Sequence, residues 1–124
     1  MPLLVDSARG SGLRVELRSL PATEELTGTV ELTAYRIVQE ALLNACKHAP
    51  NCAATLTITH DGSSLLVELR NDLPLGTGPA SVAETGGGRG LVTMRERAEA
   101  VGGRLTGGPD GDGWLVRAAL PRLA

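Results

Sequence analysis

Two alternating runs placed close together constrain the fold more than anything else in the chain. Ala54, Leu56 and Ile58 alternate with Thr55, Thr57 and Thr59, and Leu65, Val67 and Leu69 then form the apolar face of a returning strand that ends at Arg70. A period of two is that of a strand with one buried face. Between the runs stands Asp61-Gly62, a two-residue hairpin signal. The two strands are therefore expected to be antiparallel neighbours. A third alternation comes earlier, with Leu13, Val15 and Leu17 inward and Arg14, Glu16 and Arg18 outward. Two further strands are expected near Arg104–Thr106 and Trp114–Leu120, around the turn Pro109-Asp110-Gly111-Asp112-Gly113.

Helical spacing separates these strands. Ala34, Ile37, Ala41 and Ala45 form an apolar stripe within a helix predicted from about Val30 to His48, with Thr29 as its N-cap and Pro50 as its stop. Ser19 to Gly28 reads as a loop. A second helix resumes at Leu91, places Met94, Ala98 and Val101 on one face, and ends at Gly102-Gly103. The order is strand, helix, two strands, an aperiodic stretch, helix, two strands. This predicts an α+β two-layer sandwich, with helices on one face of a mixed, mostly antiparallel sheet. A chain of 124 residues makes one domain, 1–124, and with no Phe, one Tyr and one Trp its core must come from Leu, Val, Ile and Ala. Leu3, Leu4 and Ala8 start a helical pattern with no cap before it, so residues 1–12 read as the remnant of a preceding helix or linker.

Several function classes fall away. The net charge is −2 and the basic residues are scattered, which lacks the electrostatic footprint of a nucleic-acid binder. No apolar run approaches membrane-spanning length and no signal-peptide pattern opens the chain, so direct membrane contact is not expected and a cytoplasmic location is. Cys46 and Cys52 are too few for a disulfide scaffold and read as buried thiols.

The chemistry concentrates in two places. Along the first helix, at about 100° per residue, Glu40, Asn44, Lys47 and His48 fall within roughly a quarter-turn of one another. A carboxylate, an amide, an ammonium and an imidazole on one strip make a poor core and suit a metal-bound polyphosphate. The amide oxygen serves a hard cation such as Mg²⁺, the cations serve phosphate, and the carboxylate serves a proton or a water. The second place is glycine-rich. From Asp72 to Gly88 periodicity is lost, as in a functional lid. Gly86, Gly87, Gly88 and Gly90 then lead into the second helix, where backbone N–H groups and a helix N-terminus favour an anion.

With both clusters placed, the chain resembles the catalytic ATP-binding domain of sensor histidine kinases, the fold shared with DNA gyrase, Hsp90 chaperones and MutL proteins. Tyr35-Arg36-Ile37-Val38-Gln39-Glu40-Ala41-Leu42, with Asn44-Ala45 and Lys47-His48-Ala49, is similar to the subfamily that pairs with helix-turn-helix, LuxR-type response regulators. Gly86-Gly87-Gly88-Arg89-Gly90-Leu91-Val92, with Met94-Arg95-Glu96-Arg97, resembles that subfamily's second glycine box.

The resemblance implies that Asn44 ligates Mg²⁺ and that Glu40 holds a metal-bound water or helps take the proton from an incoming phosphoacceptor histidine. It also implies that Lys47 and His48 touch the phosphates, together with Gly86, Gly88, Arg89, Gly90, Leu91 and Thr93, and that residues 72–88 form an ATP lid. Arg95, Glu96 and Arg97 read as surface ion pairing. The family's first glycine box is altered. Its adenine-reading Asp is replaced by Asn71 when the strands are aligned, with Asp72 as the alternative one residue on. An Asn carbonyl also accepts the adenine amino proton.

The implied activity is that of an ATP-binding kinase module of a two-component system. Its partners would be ATP, a separate dimerisation and phosphoacceptor domain through which the parent would form a homodimer, and a response regulator. The parent itself could be membrane-anchored. The isolated chain would bind nucleotide without phosphorylating itself. The competing readings are an anti-sigma-factor serine kinase of the same fold and a degenerate, non-catalytic interaction module.

Overall fold

A computed structural model describes residues 6, 8–10, 12–19, 28–48, 52–61, 64–72 and 88–121. Residues 6 and 8–10 are helical, and after them come β1 (Arg14–Ser19), α1 (Gly28–His48), β2 (Ala53–Asp61), β3 (Ser64–Asp72), α2 (Gly88–Ala100), β4 (Arg104–Asp110) and β5 (Gly113–Pro121). The strands form one sheet in the order β1-β2-β3-β5-β4. β1 runs parallel to β2, and every other neighbouring pair is antiparallel. The single parallel pair is the one whose strands are separated in the chain by α1, because parallel neighbours need a long crossover. The expected α+β sandwich with a mixed, mostly antiparallel sheet is the architecture observed.

Cross-strand rows follow directly from the register. Ala54, Asn71, Trp114 and Pro109 form one row, and Leu56, Leu69, Val116 and Gly107 form the next. Ile58, Val67, Ala118 and Leu105 form a third. The aliphatic members of these rows are buried in one cluster with Ala34, Ile37, Val38, Ala41, Leu42 and Ala45 of α1 and Met94 and Ala98 of α2. Both helices therefore cover the same face of the sheet. The opposite face carries Thr55, Thr57, Thr59, Glu68, Arg70 and Arg117, all half-buried or exposed. Aliphatic alternation in the strands and the apolar stripe on each helix thus meet in a core made of small and branched side chains.

The boundaries moved where packing outweighed local propensity. α1 begins at Gly28, so Thr29 lies inside the helix and is not its N-cap. Val30, which is fully buried, anchors that first turn. Asp61, expected in the hairpin turn, instead belongs to β2 and pairs with Ser64 of β3; residues 62 and 63 lie outside the described set. β4 continues through Asp110, and pairing of Asp110 with Gly113 shrinks the expected five-residue turn to Gly111-Asp112. Gly111 takes φ +60°, a conformation glycine adopts without a Cβ penalty.

α2 ends as the sequence indicated. Gly102 has φ +83°, and the Gly103 N–H donates to the Ala98 carbonyl at 2.8 Å. Upstream of β1, Ala8 is buried and Arg9 donates from Nε and Nη2 to the Val15 carbonyl at 3.1 and 2.8 Å. The part of the 1–12 stretch that is described thus packs on the domain.

Candidate functional site

The polar strip of α1 lies where the sequence put it. Glu40 and Asn44 are half-buried, and Lys47 is exposed. His48 ends the helix and, like Arg89 on α2, is placed by its backbone alone. Among the described residues Glu40 makes no ion pair with Arg36 or Lys47, and Asn44 has no side-chain hydrogen-bond partner. A carboxylate and a carboxamide one turn apart, both half-withdrawn from water and without a side-chain partner among the described residues, can serve a ligand.

The glycine cluster meets this strip directly. A Cβ added to Gly90 would stand 2.5 Å from Asn44 Nδ2 and 3.2 Å from Oδ1. Only a residue without a side chain lets the first turn of α2 approach the amide this closely. α2 starts at Gly88, three residues earlier than the predicted Leu91, so Gly88, Arg89 and Gly90 belong to the helix itself. Glycine is a poor helix former, and tertiary packing overrides that preference here. Leu91 sits over Gly107 of β4, where a Cβ would come within 2.6 Å of Leu91 Cδ1. Arg95 Nε donates to the Leu105 carbonyl at 3.3 Å, so this arginine ties α2 to β4 instead of joining the expected surface ion pairs. Thr93 is half-buried on the same helix. Gly86 and nearly all of the expected lid at 72–88 lie outside the described residues.

The third component is the C-terminal end of β3. Asn71 has the parity of Leu65, Val67 and Leu69 and so faces the helices, only 5% exposed. It is the one buried polar side chain among the described residues. Its Nδ2 donates to the Asp72 carbonyl at 3.1 Å, and its Oδ1 has no partner among the described residues. Asp72 projects to the other face. Its carboxylate pairs with Arg70 Nη1 at 2.6 Å, while Arg70 Nε pairs with Asp110 at 2.8 Å and Nη2 donates to the Asp110 carbonyl at 3.1 Å. These two carboxylates push the Arg70 pKa up. Alternation alone separates the two neighbours: Asn71 faces the helix layer and Asp72 does not.

The first turn of α2 thus stands against the Asn44 amide, with Glu40 one turn earlier on α1. Leu91 packs over Gly107, which lies one row from the Asn71 row. The sequence reading overlooked Trp114, which pairs with Asn71 across β3 and β5 and is partly buried against the core. The alternation Trp114, Val116, Ala118, Leu120 was the available signal. Cys46 and Cys52 are free and half-buried, and the Cys46 thiol lies 3.9 Å from the Ala8 carbonyl. No group of three or more His, Cys, Asp or Glu able to hold a metal occurs among the described residues.

Superposed structures include the catalytic domain of histidine kinase ThkA in a nucleotide-free form, with a TM-score of 0.73 at 14% identity, covering 99% of this chain and 89% of that one. The blue-light activated histidine kinase of Erythrobacter litoralis gives 0.75 at 16% identity, covering 98% of this chain and 40% of that one. The fold is that of histidine kinase catalytic domains.

In sequence, the chain is 41% identical over 97 residues to the sensor histidine kinase YxjM of Bacillus subtilis, which covers 77% of this chain and 22% of that protein. It is 38% identical over 97 residues to the nitrate/nitrite sensor protein NarQ of Escherichia coli, covering 76% of this chain and 16% of that protein. The chain thus spans about a fifth of the length of the curated relatives it matches. No family model matches it. The chain thus has the fold seen in histidine kinase catalytic domains and is similar in sequence to a segment of two sensor proteins, one of them a sensor histidine kinase. Among the described residues no helix is long and apolar enough to cross a membrane.

Proposed function

We propose that the chain is the ATP-binding catalytic module of a two-component sensor histidine kinase. In this reading it presents MgATP for phosphoryl transfer to a histidine on a dimerisation domain outside the chain. The carrying observation is the contact of Gly90 with the Asn44 amide, because it joins the two motifs into one site. The residues fit a magnesium nucleotide on three counts: a cradle that a Cβ would fill, a half-buried amide without a partner among the described residues, and the buried Asn71 carboxamide on the helix-facing side of the sheet.

In this reading Asn44 Oδ1 supplies one oxygen to Mg²⁺, the rest coming from phosphates and waters. Bound there, the cation neutralises charge that develops on the transferring phosphoryl group. The start of α2, with Gly88, Arg89, Gly90, Leu91 and Thr93, together with Gly86 ahead of it, faces the phosphates through backbone N–H groups and the helix dipole. Lys47 and His48 add positive charge at the end of α1. Glu40, one turn before Asn44, is the group that orients a water or takes the proton of the incoming histidine. Asn71 accepts from the adenine amino group, and the pairing of Asp72 with Arg70 on the other face favours Asn71 over its neighbour. Residues 72–88 serve as the lid, and residues 1–12 connect to the dimerisation domain, through which the parent forms a homodimer. The two motifs also support pairing with a helix-turn-helix response regulator and a cytoplasmic position for this module.

Calorimetry with MgATP and with metal-free ATP tests the reading. Binding should be strengthened by Mg²⁺, and Asn44→Ala should abolish that strengthening; an unchanged magnesium dependence would remove Asn44 from the site. Radiolabelled ATP should leave the isolated chain unlabelled. No binding at millimolar nucleotide would favour a non-catalytic interaction module, the reading that the altered first glycine box supports.

A further inference from the structure

We infer that Trp114 is a specificity-determining residue: its indole forms the aromatic wall of the nucleobase site, beside the carboxamide that reads the base edge. The inference rests on the nucleotide reading above and names the side chain that selects the base.

Three observations carry it. Trp114 is the register partner of Asn71, and both share the helix-facing side of the sheet. Side chains directly opposite on one face have Cβ atoms about 4.5–5.5 Å apart, so the indole starts beside the Asn71 amide. The pairing is held tight at this point. A Cβ on Gly113 would collide with the Asn71 carbonyl and stand 2.8 Å from Arg70 Nη2, so this end of β5 lies hard against β3. Finally, its neighbours in the row are smaller: Ala54 flanks Asn71 with Val15 beyond it, and Pro109 flanks Trp114 on the other side, so the indole is the largest side chain of that row.

The chemistry of the two groups is complementary. Asn71 Oδ1 is buried with no partner among the described residues, so it awaits a donor such as an exocyclic amino group. The indole is only partly buried, and it offers a flat π surface of the kind on which heteroaromatic bases stack. A planar aminopurine satisfies both groups, whereas an inorganic polyphosphate engages neither.

Trp114 is the sole tryptophan of the chain, so its fluorescence reads this position alone. Titration of the intact chain with MgADP should change the emission saturably, with a midpoint equal to the calorimetric Kd. Magnesium tripolyphosphate should bind without moving the emission. Trp114→Ala should weaken MgADP at least about fivefold, the lower end of base–aromatic stacking, and leave tripolyphosphate unaffected. Trp114→Phe should restore most of the difference.

Calorimetric binding of MgADP with unmoved native emission overturns the inference and spares the nucleotide reading. So does an equal loss for both ligands in Trp114→Ala, which marks a structural role. Absence of any MgADP binding overturns both together.

Discussion

Gly90→Ala separates a contact made for the site from a contact made for the fold. In a helix, Ala is favoured over Gly by about 1 kcal/mol. Here the new methyl would meet Asn44 Nδ2 at 2.5 Å and Oδ1 at 3.2 Å, so the amide must turn aside. That amide is the end of a flexible, half-buried side chain. Moving it off its rotamer costs about 0.5–1.5 kcal/mol. The two effects nearly cancel, and thermal unfolding should shift by no more than a few degrees. Binding should behave differently. A lost contact to a charged group costs about 1.5–3 kcal/mol, or roughly 10- to 150-fold in affinity. Calorimetry of Gly90→Ala with MgATP should therefore show at least about tenfold weaker binding, confined to the magnesium-dependent part. Metal-free ATP should bind as before. Unchanged MgATP affinity would refute the reasoning, and so would a collapse of the melting temperature, since the contact would then belong to packing.

Three further outcomes follow from the same geometry. Gly103→Ala should destabilise the fold more than Gly107→Ala. The former drives a Cβ to 2.5 Å from the Ala119 carbonyl, which cannot move aside, and the latter meets the Leu91 side chain at 2.6 Å. Overpacking of this kind costs about 1–3 kcal/mol, and chemical denaturation would rank the two. Leu56→Ala, at a fully buried position in the centre of β2, should cost about 2–5 kcal/mol in the same assay without altering which nucleotide is preferred. Burial raises the Cys46 pKa above its ordinary value. The unfolded thiol therefore ionises first, and stability present below the ordinary thiol pKa is lost as pH rises through the folded value. Denaturation midpoints should fall above about pH 8.5, and Cys46→Ala should flatten that slope; an identical slope would place its origin elsewhere.

Much of this architecture was legible in the chain because the relevant physics is local. The alternation Ala54-Leu56-Ile58 and the stripe Ala34-Ile37-Ala41-Ala45 declare a buried face whatever lies opposite, and those residues are buried. Asn71 sits in phase with Leu69, so its inward orientation was implicit in the same period of two, although its neighbour Asp72 had to be kept as an alternative. Glycine was harder to interpret. Gly88 and Gly90 argue locally against helix, and their place in the first turn of α2 depends on Leu91 seating over Gly107, far along the chain. The role of Gly90 is likewise invisible until Asn44 is beside it.

Periodicity, turn residues and polar spacing along each segment thus determined which elements form, which faces are buried and which residue types gather for ligand chemistry. What the folded chain alone decided was adjacency. The parallel pairing of β1 with β2, the approach of α2 to Asn44 and the placing of Trp114 opposite Asn71 depend on long-range register and close packing between segments distant in sequence. No local preference encodes such contacts, because their free energy exists only once both partners have been brought together.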